Sequence, residues 1–281
     1  MNRMSVERRA AVLRALVEGN SVRAAGRIAG AAKGTVLKLL AEVGTACAAY
    51  QDERLVNLPC TQLQCDEIWS FVGMKERQVP DGLKGNGVGD SWTWTAICAD
   101  TKIIPCWHIG KRDADAAATF MEDLASRLAN RVQLTTDGHK AYLSAVEGAF
   151  GWNGADYAML VKLYGPGPEG QRPYSPPECV GAEKVWIMGQ PEKAKVSTSF
   201  VEAHNLTMRM SVRRFTRFTN GYSKKLANHM YAVSLFMMYY NFARPHHTLT
   251  KAKGGIHTTP AMAAGVADHV WRLEEAARLA D

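Results

Sequence analysis

Three acids in this chain stand where an acid is costly. Asp66 lies in QLQCDEIWSFVGM (62–74), among Ile68, Trp69, Phe71 and Val72. That pattern reads as a buried strand carrying a carboxylate. Asp137 ends a short apolar strand within RVQLTTDGHKAY (131–142). Glu202 falls in the first turns of a helix that begins after Ser197, Thr198 and Ser199. A carboxylate in such a place is unfavourable unless a cation meets it. Carboxylates that hold divalent ions suit in-line displacement at a phosphodiester, because the ions stabilise the attacking and leaving oxygens. Mg²⁺ takes few protein ligands and keeps waters and substrate phosphates, so three acids suffice. Asp66, Asp137 and Glu202 are therefore the candidate metal-binding and catalytic set, with Mg²⁺ or Mn²⁺, as two ions, for cofactor. They lie far apart in sequence and acquire meaning only through the fold. Glu67 is a competing ligand, although strand alternation turns it to the face opposite Asp66.

The elements that must position these acids can be read in order. Ser5 to Val17 has Val12, Leu13 and Leu16 on one face and Ser5 as N-cap. Ser21 caps a second helix, from Val22 to Ala29, and a third runs from about Lys33 to Val43. A small-residue helix, a Gly-containing turn and a helix opening Lys-Gly-Thr-Val fit a helix-turn-helix. Lys33, Thr35 and Lys38 would face the major groove. Residues 1–50 hold eight Lys/Arg against three acids, which suits phosphate contact. Residues 51–61 read as a linker. Three strands follow (62–74, 91–100 and 103–110), with the Gly-rich DGLKGNGVGD (81–90) as a turn; its spacing is not that of a phosphate-binding loop. Asp113 caps an amphipathic helix to Leu128. The strand to Asp137 comes next, then a helix from Lys140 to Ala149. This β-β-β-α-β-α order predicts a mixed sheet flanked by helices, with the first and fourth strands as neighbours. Asp66 and Asp137 would then meet.

Residues 150–195 read as an insertion, with strands near 157–163 and 183–189 around the Pro/Gly-rich GPGPEGQRPYSPPE. In the next helix Glu202 is followed by His204, Asn205 and Arg209, which joins an acid, a polar group and a base on one face. Arg209, Arg213, Arg214, Arg217, Lys224 and Lys225 then form a run without an acid, interleaved with Phe215, Phe218 and Tyr222. Basic residues among aromatics suit a nucleic-acid surface, and a solvated basic face over core aromatics is the plainer alternative. Leu226 to Phe242 is an apolar helix. His246, His247 and His257 lack metal-ligand spacing. Thr259-Pro260 opens a last helix through Ala280, in a C-terminal helical tail (251–281).

Composition agrees with an ordinary globular protein of 281 residues, 47% hydrophobic and 22% charged. The net charge of +7 favours a polyanionic partner. No apolar run reaches the roughly 18–20 residues that span a bilayer, and the N-terminus has no signal-peptide pattern, so a cytoplasmic protein without a membrane partner is expected. The six cysteines contain no CxxC, which argues against a zinc ribbon; Cys65, Cys98 and Cys106 read as reduced core thiols.

Three blocks, QCDEIWSFVG, TTDGHKAY and STSFVEAHNLTMRMSVRRFTRFTNGYSKK, with YYNFARPHHTL and TPAMAAG, closely resemble transposases of the insertion-sequence-one family. The likeness runs from about residue 60 to 265. It implies a DDE transposase with an RNase H-like core over residues 62–250. It implies Asp66, Asp137 and Glu202 as the metal triad, cleavage at terminal inverted repeats and transfer of 3′-ends to target double-stranded DNA. It further implies a homo-oligomer on DNA. Members of that family often carry an N-terminal zinc-binding segment, and no cysteine pattern for one exists here, so end recognition falls to the helix-turn-helix. Rival readings are a non-catalytic helix-turn-helix regulator, a nuclease that cuts without joining and an inactive copy. A tyrosine recombinase is disfavoured, since no tyrosine follows the lone His269-x-x-Arg272.

Overall fold

The computed structural model describes residues 4–165 and 178–281. Most of the expected Pro/Gly-rich loop lies outside the described residues. Within them, β1 (Gln62–Val72), β2 (Gly89–Cys98), β3 (Trp107–Gly110), β4 (Val132–Asp137), β5 (Ala155–Tyr164) and β6 (Cys179–Met188) form one six-stranded mixed sheet. Its order is β3-β2-β1-β4-β5-β6. β1, β2 and β3 are the antiparallel meander. β4 returns parallel to β1, β5 parallel to β4, and β6 antiparallel to β5.

Among the described residues ten α-helices accompany the sheet: α1 (Val6–Val17), α2 (Val22–Ile28), α3 (Lys33–Arg54), α4 (Ala114–Ser126), α5 (Ala141–Gly154), α6 (Ser199–Ser211), α7 (Leu226–Met238), α8 (His247–Ala252), α9 (Pro260–Ala263) and α10 (Leu273–Arg278). Ser5, Ser21 and Asp113 cap α1, α2 and α4 by accepting from the N–H three residues on. Alternation along β1 sorts the layers. Trp94, paired across from Glu67, packs on Phe120 of α4 and Tyr142 of α5. Gln64, Asp66 and Ser70 face the other way, towards α6 and α7. Both faces of β1 are thus covered, which is why it reads as a near-continuous apolar run. All six cysteines are free, and Cys65, Cys98 and Cys106 are buried. No helix among the described residues is long and apolar enough to cross a membrane.

Beyond shifts at helix ends and the short α8 where a loop was expected at His246 and His247, four elements differ from the sequence reading. First, α3 runs through Gly44 to Arg54, into the stretch expected to be a linker. A Cβ at Gly44 would lie 2.6 Å from Tyr231 Cβ and 2.7 Å from Tyr231 O, so this glycine marks a close helix crossing with α7, not a helix end. Second, β3 begins only at Trp107. Pro105 lacks an N–H, and the side chain of Asn241 takes both backbone groups of Ile104, at 2.9 and 3.0 Å, in place of a neighbouring strand. Third, the expected insertion contributes β5 and β6 to the sheet itself, because β5 pairs along the whole of β4. Fourth, the last helix is broken into α9 and α10 beyond Gly265, which has φ +74.

The N-terminal helices share one apolar core with the sheet. At the far end of the chain Arg9 donates to the Ala277 carbonyl at 3.0 Å and pairs with Asp281 at 2.7 Å.

Gly44→Ala tests the α3–α7 crossing. Helix propensity alone would make this change stabilising by about 1 kcal/mol. The clash with the Tyr231 backbone should win and destabilise the protein by about 1–3 kcal/mol in urea unfolding. An unchanged or raised midpoint would contradict the close crossing.

Candidate metal centre

The parallel register of β1 and β4 builds the site. Cys65 pairs with Thr136, so Asp66 and Asp137 follow side by side at the ends of the paired segments. Glu202 arrives from α6, whose start is fixed to the sheet. Gln64 Oε1 accepts from the N–H groups of Phe200 and Val201 at 2.8 and 3.3 Å, satisfying donors that Thr198 leaves uncapped. One turn after Glu202, Asn205 donates to Asp66 Oδ2 at 2.9 Å, tying α6 to the strand.

The other oxygens are held locally. Asp66 Oδ1 accepts from the Glu67 N–H at 2.8 Å, and Asp137 Oδ1 from the His139 N–H at 2.9 Å. Glu67 turns to the α5 face as alternation requires, yet it remains part of the site. Carboxylate oxygens of Asp66, Glu67 and Asp137 lie within 4.8 Å of one another. Oxygens around one octahedral Mg²⁺, bound at about 2.1 Å, lie at most about 4.2 Å apart. Only a trans pair reaches that span and cis pairs lie about 3.0 Å apart, so the three would have to draw together by up to about 1–2 Å to share one ion. The Glu67 side chain is 1% exposed. Its Oε1 is buried without a hydrogen-bond partner, even though the Tyr142 hydroxyl lies near enough to moderate its charge. A hard, all-oxygen donor set with an orphaned buried oxygen fits Mg²⁺ or Mn²⁺.

Two of the protein's own cations meet these acids. Arg112 donates from Nε to Glu67 at 3.1 Å, reaches Asp137 at 3.5 Å and stacks on Trp92 at 5.0 Å. Lys162, on β5, pairs with Glu202 at 2.7 Å, and the Thr198 hydroxyl donates to the same carboxylate. Neither partner carries a signal in the sequence, since each comes from a different strand or loop. The repulsion is only partly relieved. Burial, and then the Asp137 charge, push the Asp66 carboxyl up to about 6. The same two causes push Glu67 up to about 7.

Asp66, Asp137 and Glu202 line one open cleft of about 910 Å³, together with Glu67, Arg112 and Lys162. Of the basic residues singled out from the sequence, Arg209 and Arg217 line this cleft. Arg213 is half-buried, and Arg214 donates from Nε to Ser223 Oγ at 2.7 Å, with burial pushing its guanidinium down to about 10. Lys224 and Lys225 are exposed just before α7. Lys33, Thr35 and Lys38 are exposed on the first turns of α3, away from the cleft lining. His204 does not share the face of Glu202. It is buried against Phe236 and Tyr240, and desolvation pushes its imidazole down to about 3, so it is neutral near neutral pH.

No protein-family model matches the chain, and no curated protein does. Among solved structures, it is similar to a piggyBac transposase synaptic complex with hairpin DNA, at 12% identity and a TM-score of 0.33. The match covers 74% of this chain and 51% of that one, so the chain spans about half the length of that relative.

The charge repulsion sets a pH dependence. An unfolded Asp titrates near about 3.9, whereas folded Asp66 titrates near about 6. Between these values the native state binds more protons. The group therefore favours the metal-free fold at low pH, and that gain is lost as pH rises through about 6. In EDTA at pH 8, Asp66→Asn should raise the Tm by about 2–4 °C, with the difference roughly halved at pH 5 and gone only below about pH 4. A variant less stable than wild type at pH 8 would contradict this electrostatic picture.

Proposed function

We propose that this chain is a DDE-type DNA transposase, a metal-dependent polynucleotidyl transferase with an RNase H-like core. Asp66, Asp137 and Glu202 would hold the Mg²⁺ or Mn²⁺. The observation that carries the reading is the convergence of these three acids, from β1, β4 and α6, on one open cleft that also holds Arg209 and Arg217. A bound divalent ion would supply Lewis-acid stabilisation of the oxygens that attack and leave phosphorus. The chain's own groups prepare for it. Asn205 orients the Asp66 carboxylate, and the Asp137 carboxylate is fixed by the His139 N–H. Arg209 and Arg217 offer positive charge to the phosphates on either side of a scissile bond. Lys162 and Thr198 meet Glu202 at Oε1, so Oε2 is the oxygen it would offer an ion.

The family assignment, to the insertion-sequence-one transposases, rests on the sequence blocks. The N-terminal helices are read as the end-recognition module. Its supports are the short turn from α2 to α3, with Gly30 at φ +61, and the exposure of Lys33, Thr35 and Lys38 at the uncapped start of α3. Arg213, Lys224 and Lys225 are assigned to backbone contact, and Arg214 to holding the segment through Ser223. Two transposon ends must be processed together, so the active form is taken to be a homo-oligomer on DNA.

The test is cleavage and joining of labelled DNA carrying the sequences that flank the coding segment, in Mg²⁺, Mn²⁺ or EDTA. Metal-dependent nicking and joined products are expected from the wild type. Asp66→Asn, Asp137→Asn and Glu202→Gln should each lose about 10³-fold in rate or more while still shifting DNA in a gel. Retained cleavage removes that residue from the triad. Cutting without any joined product turns the assignment to a nuclease.

A further inference from the structure

Beside the acidic cleft lies a second concavity, of about 600 Å³. The two share Arg209 and Arg217 in their walls. The second is walled by aromatic rings: Trp69 and Phe71 from β1, with Phe218 and Tyr222 from the segment between α6 and α7. Phe71 stacks on Tyr222 at 4.7 Å and on Trp69 at 5.7 Å. Lys75 sits over the Trp69 ring at 5.9 Å. Among the described residues that line it, none is acidic.

Among the described residues, Phe218 is the most exposed of the large apolar side chains, at 81%. Its backbone is held at φ +58, a region that a bulky side chain rarely adopts. The strained backbone presents this ring beside Arg209 and Arg217 at the mouth of the cleft of aromatic rings, and strain of this kind gathers at binding sites. Arg209 adds an independent observation. It lies within electrostatic reach of both Asp66 and Arg217, and its Nη1 is buried without a hydrogen-bond partner.

We propose that this concavity receives an unpaired nucleobase of the DNA strand whose phosphate lies at the acids. The inference rests on the DNA-processing reading above and deepens it. Duplex DNA hides its base faces in the stack, so aromatic walls gain nothing from it beyond contact with the backbone. An unpaired base exposes both faces, stacks on Phe218 and Trp69, and leaves its phosphate to Arg209 and Arg217. Arg209 and Arg217 line both concavities, with the aromatic rings in one and the acids in the other.

The experiment compares two labelled probes by fluorescence anisotropy in EDTA, where no cutting occurs. One is a blunt duplex, and the other is the same duplex with a short unpaired 3′ thymidine tail. The tail should strengthen wild-type binding about tenfold. Phe218→Ala should bring the tailed-to-blunt ratio close to one, and Phe218→Trp should keep it. Equal wild-type affinity for the two probes, or a ratio that Phe218→Ala does not change, would overturn the base pocket. Binding to neither probe would overturn the pocket together with the DNA-processing reading. A tail preference in a protein that never cuts with metal would support the pocket and remove the transposase assignment.

Discussion

Like charges held at the ends of two parallel strands govern this structure. The register of β1 with β4 leaves Asp66 and Asp137 no separation that would relax their repulsion. Glu67 joins them from the other face of the same strand. Burial deepens the problem, because water excluded from the carboxylates no longer screens their repulsion. A fold that needed only stability would place apolar side chains here. The cost is tolerable because the acids are answered from outside the strand pair, by Arg112 before α4 and by Lys162 on β5.

The two cations differ in how easily they let go. Lys162 and Glu202 are both more than a third exposed, so that pair can open at modest cost, whereas Arg112 also answers the buried Glu67 and its withdrawal needs another cation in its place. The acids are thereby kept apart and solvated on one side, in an arrangement that a divalent ion could replace. Fixed dipoles do the rest. The Glu67 and His139 N–H groups and the Asn205 amide aim carboxylate oxygens without adding net charge. The anchoring of α6 by Gln64 gives that aim its precision, since it fixes where Glu202 and Asn205 enter.

Much of this arrangement was legible in the sequence, through patterns with one physical meaning. Three strands joined by short turns, then a helix and a strand, leave few topologies. Those few bring the first and fourth strands together and Asp66 next to Asp137. Ser5, Ser21 and Asp113 read correctly as caps because a side-chain acceptor before a helix has little else to do. Features with two meanings misled. Gly44 looks like a helix end in sequence, but in space it is the gap that lets α3 lie on Tyr231. A basic run says nothing of direction, so Arg214, tied inward to Ser223, could not be told from Arg217, which lines the cleft. Glu67 was set aside by strand alternation. The rule holds for its direction, yet Asp137 is the last residue of its strand and lies within reach of both neighbours. Arg112 and Lys162 were illegible, because a counter-ion from a distant element leaves no local pattern.

The central claim is that these acids form one divalent-metal site. Anomalous diffraction from crystals soaked in Mn²⁺ at neutral pH tests it most directly. The account predicts a peak bonded to carboxylate oxygens of Asp66 and Asp137, with Arg112 withdrawn from Asp137 and Glu67 turned to the ion or to its water. No peak at saturating Mn²⁺, with Arg112 still paired to Asp137 and Lys162 to Glu202, would contradict it. The cluster would then be a salt-bridged structural joint, and the catalytic reading would fall with it.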